Sequence, residues 1–305
     1  DLLGSRGLGD VYKRQLSGEV IIGAGGSYDL VSKRIREIEN MPMNWRDEDI
    51  AMALYFEVDV GREFMDEVYG EERISMAHIK YDGLDGYGWS FSKDTVLNVG
   101  IGCPRNIIKK LKSEKKGWSE RKYLLDYVET LKEQGWFPKD IEVDRKMISG
   151  ANIPVGMGMS CTVGDRMMVV GDAGGFVSPL SGEGLYYALD SGRLAAESLD
   201  VLFPEGNFNK QDLMHYHRAW RSKWGDDLEW LKVGWHLLMV MPNSLIKYAA
   251  LDEETKEFFT HMFVGSMPAA KIKNKVLALI AKGVLKHEVL SLMTGNKQTV
   301  PELVS

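Results

Sequence analysis

At 305 residues the chain is long enough for two domains with sizeable buried cores. Its 44% hydrophobic and 27% charged content is that of a globular protein, and a formal net charge of -6 argues against nucleic acid as a partner, which needs a concentrated basic surface. No apolar run approaches the roughly 20 residues of a membrane span, so any membrane contact is expected to be peripheral. The two cysteines, Cys103 and Cys161, have neither metal nor redox spacing; they read as reduced and buried, which fits a cytoplasmic protein, and no metal site is predicted.

Residues 1–15 (DLLGSRGLGDVYKRQ) have no helical or strand period and read as a non-native leader, like translated adapter sequence, or as a flexible terminus. Residues 18–24 (GEVIIGA) then form a buried strand, closed by the turn Gly23-Ala24-Gly25-Gly26 and followed by a charged helix through Arg36. Strand-like runs follow at 51–60, 73–80, 86–91 and 95–102, with Lys/Glu-rich helical segments over 106–134. Short strands broken by turns predict an antiparallel sheet with helices packed on one face. Beyond 207 the chain is rich in helix formers and aromatics. Trp220, Trp224, Trp230 and Trp235 make no single stripe and read as core.

The most informative stretch is 166–202 (RMMVVGDAGGFVSPLSGEGLYYALDSGRLAAESLDVL). An apolar strand at 167–170 ends at Gly171-Asp172, where an α/β sheet presents groups to a ligand. Gly174, Gly175, Pro179, Gly182 and Gly184 make a loop poor in side chains, which a flat ligand can approach closely. From Gly182 or Glu183 the pattern turns helical. Leu185, Ala188, Leu189, Gly192, Ala196 and Leu199 are expected on the packed face; Asp190, Arg193, Glu197 and Asp200 take the other.

The order strand, Gly-Asp, small residues, Pro, then Gly-x-Gly opening a helix closely resembles the second flavin-binding motif of the flavoproteins that include aromatic hydroxylases and geranylgeranyl reductases. The run Tyr87-Gly88-Trp89-Ser90-Phe91-Ser92, followed after 93–99 by Gly100-Ile101-Gly102, resembles the geranylgeranyl reductase signature Tyr-x-Trp-x-Phe-Pro with its downstream Gly-x-Gly; Ser92 replaces the proline. The turn at 23–26 resembles the Gly-Ala-Asp-Gly motif of the same proteins, with Gly25 in place of the aspartate and Asp29 where serine is common. The segment Asn152-Ile153-Pro154 with Gly156 looks like the family's approach to the flavin loop. The first dinucleotide motif is not found: Gly4 to Gly9 (GSRGLG) has no strand before it and no helix with an acidic partner after it.

The resemblance implies a mixed α+β and α/β fold. It consists of the remainder of an FAD-binding Rossmann-like lobe (16–44 and 146–204, first βαβ unit missing), an antiparallel substrate-binding sheet domain (45–145) and a helical region (205–305). It implies FAD as cofactor. Asp172 would hold the ribityl chain, and the helix start at Gly182, Glu183 and Gly184 would face the pyrimidine edge, with Gly23, Gly26, Gly171 and Pro179 close to the cofactor. Tyr87, Trp89 and Phe91 alternate and so share one strand face, where they either wall a pocket for a hydrocarbon chain or belong to the sheet core; Gly100 and Gly102 belong with them. The implied activity is reduction of carbon–carbon double bonds in prenyl lipids or their precursors by hydride from reduced flavin N5, with NADPH or reduced ferredoxin as electron donor, and this piece alone is expected to be inactive. The alternatives are a flavin-dependent monooxygenase or halogenase and a non-catalytic isoprenoid-binding protein.

No proton donor stands out, and the catalytic residues stay unassigned. His215 and His217 point to different faces and read as surface or capping groups. Residues 271–287 carry Lys271, Lys275, Lys282 and Lys286 beside an apolar face. That pattern suits either docking on an anionic membrane or packing on the core.

Overall fold

The computed structural model describes residues 17–240 and Thr260. The leader at 1–15 and the basic segment at 271–287 lie outside the described residues. Two sheets organise what is described.

The first is small, with strands β1 (Ile21–Gly23), β8 (Met167–Val169) and β7 (Val163–Gly164) in the order β1-β8-β7. Strands β1 and β8 are parallel, with Gly23 opposite Val169. Two segments far apart in sequence thus join in one layer, and their glycine turns lie side by side at the strands' carboxyl ends. Helix α1 (Leu30–Ile38) follows the first turn, and α5 (Leu185–Leu202) follows the second.

The second sheet is antiparallel and five-stranded, in the order β3-β4-β5-β2-β6: β3 (Met76–Ile79), β4 (Tyr87–Ser92), β5 (Val96–Pro104), β2 (Ile50–Asp59) and β6 (Ser149–Pro154). The last strand was expected in the flavin lobe. Instead it pairs with β2 from Ile50↔Pro154 to Tyr55↔Ser149, so the boundary falls after Pro154 rather than at 146. Six residues with few large side chains gave no periodic signal of which sheet they would join.

Alternation divides this sheet into two faces. Phe56, Leu97, Val99, Ile101 and Cys103 point to helices α2 (Arg62–Tyr69), α3 (Arg105–Glu114) and α4 (Glu120–Glu133), and build the largest core with Met65, Tyr69, Leu124, Tyr127 and Leu131. Helix α4 approaches β4 closely because Gly88 is bare there: a Cβ on it would stand 2.7 Å from the Tyr127 ring. Inside the core the Tyr69 hydroxyl meets Ser90 Oγ at 2.6 Å and donates to the Trp136 carbonyl at 2.7 Å. Burial pushes its pKa up to about 12. The thiol of buried Cys103 is likewise pushed up to about 12, by burial first; Cys161 is only half-buried, and both are free.

Helices α6 (Lys210–Trp220) and α7 (Asp226–Val240) are joined by a π-helical turn at Arg221–Gly225. Trp220 and Trp224 are buried with Phe176 and Tyr187, as expected of core tryptophans. His217 is not a surface group. Its Nδ1 meets Thr162 Oγ1 at 3.0 Å, and Thr162 also accepts from Trp220 Nε1.

Helix α5 departs from its expected orientation. Leu185 and Leu189 are 71% and 69% exposed, whereas Tyr187, Ser191, Leu194, Ala195 and Ser198 are buried. Asp190 is buried too, because Lys223, Arg193 and Trp224 Nε1 all bond to it. Burial alone would raise its pKa; those bonds outweigh burial and hold the carboxyl below its usual range. The small polar residues on this face made it look solvent-facing in sequence. No helix among the described residues is long and apolar enough to cross a membrane.

Tyr69→Phe should remove about 1–3 kcal/mol of stability, because it leaves the buried Ser90 hydroxyl and the half-buried Trp136 carbonyl without their shared partner. Urea unfolding of the two proteins measures it; coincident curves would contradict the assignment.

Candidate cofactor and substrate site

The site begins with a register. Strands β4 and β5 pair so that Tyr87 faces Gly102 and Trp89 faces Gly100. The Trp89 indole lies across its bare partner: a Cβ on Gly100 would stand 2.2 Å from the ring and 2.7 Å from the Leu54 carbonyl. Trp89 Nε1 donates to Asn98 Oδ1 at 2.7 Å, which fixes the ring in that orientation. The spacing between the aromatics and the Gly-x-Gly is therefore the arithmetic of a hairpin, with large residues on one strand set against none on the other.

Beyond the indole opens a cavity of about 210 Å3. Its floor is Trp89, Ala51, Ala53 and Gly102, its sides include Ile107, Ile153 and Val155, and Pro179, Leu180 and Gly182 of the second glycine loop close one end. Trp235 and Met239 of α7 line it as well, and its polar lining is Glu48, Asp85, Asn106, Lys232 and His236. Of the expected aromatics, Tyr87 and Trp89 line this cavity. Phe91 is not among its lining residues; it stacks behind Trp89 with ring centroids 5.8 Å apart. Gly100 lies under the indole instead of on the cavity surface.

Sequence reasoning missed Ala51, Ala53 and the α7 wall. The signal for the first two was present, since β2 alternates small and large residues (Ala51-Met52-Ala53-Leu54). The α7 wall had none, because its place depends on tertiary packing.

Tyr87 ties sheet to loop by donating its hydroxyl to the Ser181 carbonyl, and burial raises its pKa. The loop itself is tightly self-bonded: Ser178 N donates to the Glu183 carbonyl at 2.7 Å and Gly182 N to the Ser178 carbonyl at 2.9 Å. Gly182 has φ +74, a left-handed conformation that suits glycine. At the start of α5, Glu183 Oε1 accepts from Tyr186 N at 2.9 Å, while its buried Oε2 has no partner among the described residues.

Asp172 sits beside this helix start, and a Cβ on Gly184 would stand 3.3 Å from its Oδ1. No ion pair among the described residues reaches Asp172, and burial pushes its pKa up. Gly171 donates to Ser191 Oγ at 2.9 Å, anchoring this turn on α5. In the neighbouring turn the Gly23 carbonyl accepts from Val170 N at 3.0 Å, and Gly26 has φ +76.

Parallel strands ending in paired glycine turns, set against an antiparallel sheet with a cavity between, make up the fold of FAD-binding flavoproteins. Solved structures share it. One is a geranylgeranyl bacteriochlorophyll reductase-like protein from Thermoplasma acidophilum, with TM-score 0.60 and 18% identity, covering 87% of this chain and 59% of that one. Another is a flavin-dependent brominase, with TM-score 0.57 and 15% identity, covering 88% and 65%. By sequence, the chain is a homologue of the digeranylgeranylglycerophospholipid reductase of Methanococcus aeolicus, 33% identical over 176 residues. That match takes in 56% of this chain and 41% of the reductase, so it spans less than half of the relative's length. No family model matches the chain. The resemblance to geranylgeranyl reductases read from 87–102 and 171–184 is thus borne out.

Two glycines of one motif should behave differently. Gly100→Ala drives a methyl into the indole and a carbonyl, and should give little folded protein. Gly102→Ala meets nothing closer than 3.4 Å, and should fold with a smaller cavity. Thermal denaturation of both variants makes the comparison; equal losses would contradict the placement of Trp89.

Asp172 supplies a pH test. Its folded pKa is raised, so its unfavourable contribution is absent below the usual carboxylate range and develops as pH rises through it. Without cofactor, Asp172→Asn should raise the thermal midpoint at pH 7, with the gain vanishing toward pH 4. A gain independent of pH would mean the carboxylate is not the cause.

Proposed function

We propose that the protein is an FAD-dependent oxidoreductase that reduces carbon–carbon double bonds in the prenyl chains of lipids or lipid precursors. The observation that carries this reading is the cavity shared by the Trp89 floor and the Pro179–Gly182 loop, which sets an apolar chain against the loop that would hold a flavin.

The residues present fit that cofactor. The carboxyl of Asp172 is desolvated with no cation paired to it among the described residues, Glu183 Oε2 is buried without a donor among them, and Gly182, at φ +74, and Gly184 keep the turn between them free of side chains. Asp172, Glu183 and the turn at 182–184 would hold the flavin at the start of α5, an end of the helix that favours negative charge. Bound and reduced, FAD supplies the hydride from N5, with NADPH or reduced ferredoxin as the electron source. Trp89, Ile153, Val155 and Trp235 would hold the alkene chain and keep water away from it. Tyr87 would fix the distance between chain and loop through its bond to Ser181.

Two substitutions in the full-length protein test the reading. Asp172→Ala should weaken FAD binding roughly 10- to 150-fold, the loss of a charge-assisted hydrogen bond of about 1.5–3 kcal/mol. Trp89→Ala should lower turnover of a prenyl substrate while FAD absorbance stays with the protein. Parallel loss of both properties in Trp89→Ala would make the indole purely structural and remove the support for a substrate cavity.

A further inference from the structure

The first glycine turn departs twice from the motif it resembles, and the two departures meet in space. The carboxylate of Asp29 folds back over the turn. Its Oδ2 accepts from Gly25 N at 2.9 Å, and its Oδ1 accepts from Ser32 N at 2.7 Å, capping α1. Asp29 is only 9% exposed. A Cβ on Gly25 would stand 2.8 Å from Oδ2, and one on Gly23 would stand 2.3 Å from Oδ1. The space beside Gly25 is therefore filled by this side chain, and that beside Gly23 by it together with Val31, whose Cβ would stand 2.8 Å away.

The same short turn holds three neighbours. The Gly23 carbonyl accepts from Val170 N beside the Asp172 turn. The Ser27 carbonyl accepts from Trp45 Nε1 at 3.3 Å, and Trp45 in turn lies against Gly175, where a Cβ would stand 2.4 Å from its ring. The Tyr28 hydroxyl accepts from Asn152 Nδ2 at 2.8 Å, which reaches β6 of the other sheet. The path of residues 25–28 thus sets how one sheet is placed against the other.

We propose that Asp29 is the positioning residue of this joint, and that Gly25 and Asp29 form an exchangeable pair. One carboxylate, at 25 or at 29, closes the turn; two repel each other within hydrogen-bonding distance, and none leaves the Gly25 amide unpaired. With both oxygens spent on its own backbone, Asp29 makes the turn a hinge pin between the sheets and not a cradle for a phosphate. The proposal stands on this geometry and does not depend on the reductase reading.

The experiment compares four forms of the full chain: the parent, Asp29→Ser, Gly25→Asp, and the double variant. Asp29→Ser should lower the thermal midpoint by roughly 2–4 °C. Gly25→Asp should lower it further, because the new side chain is brought against the Asp29 carboxylate that already fills its place. The double variant should recover more than half of the summed losses. Strictly additive losses overturn the pairing. If Gly25→Asp does not fold, the double variant decides: a folded product supports the exchange and an unfolded one refutes it. Amide hydrogen exchange adds a local readout. In Asp29→Ser the Gly25 amide should exchange faster while the Ser32 amide stays protected, because serine still caps the helix; retained protection at Gly25 overturns the assignment.

Discussion

The contact between the Trp89 indole and the bare backbone of Gly100 is the constraint on which the rest of the site depends. A flat ring across two strands needs a neighbour without a side chain, and the antiparallel register supplies it. Once the ring lies down, Tyr87 and Phe91 are held to the same face. Gly88 and Ser90 turn to the other, where α4 and Tyr69 close over them. One face is then filled by large aliphatic and aromatic side chains. The opposite face keeps a floor of indole, alanine and glycine above which a ligand-sized space remains.

The sheets have their own cores, and the cavity is lined in part by a third apolar cluster that includes Leu180, Trp235 and Met239. The larger core occupies the helix side of the five-stranded sheet, and another gathers Val163, Met168, Phe176 and Tyr187 with α6. Between them run individual polar contacts: Tyr87 to Ser181, Asn152 to Tyr28, Trp45 to Ser27, and Lys232 to Asp49 at 2.6 Å. Directional bonds of this kind fix distance and angle without filling the space between, which is how a cavity survives beside close-packed interiors. The Asp172 carboxyl is desolvated without an ion-pair partner among the described residues, so its charged form is one that folding alone does not favour.

Support for the second glycine loop comes from behind. Phe176 leaves the loop and packs on Trp220 and Trp224, each with ring centroids 4.8 Å away, and Trp224 is tied to Asp190 of α5. The π-helical turn at Arg221–Gly225 carries Trp224 into this cluster and redirects the chain into α7, which then reaches the cavity with Trp235 and Met239. The helices after 207 therefore both brace the loop and wall the space in front of it.

Much of the fold was legible in the sequence because its signals are local. The alternation over 51–60 and 95–102 marked β2 and β5, the apolar run at 167–170 marked β8, and the glycines at 171–184 marked a turn that only small residues can make. The aromatic row and the Gly-x-Gly were visible as a pair, since a hairpin brings residues near in sequence together in space. What tertiary structure decided was every question of facing and partnership. Periodicity put Leu185 and Leu189 on the packed side of α5, yet the buried side is the one whose Asp190 finds three donors brought from other turns of the chain. Residues 149–154 could extend either sheet until β2 offered its free edge. Phe91 shares a strand face with Trp89, but the stacked indole stands between it and the cavity. Gly25 and Asp29 read as two separate departures because a sequence does not show a side chain folding back over its own turn. Local backbone preference is written residue by residue; the choice among partners is made by distance, and distance exists only after the chain has folded.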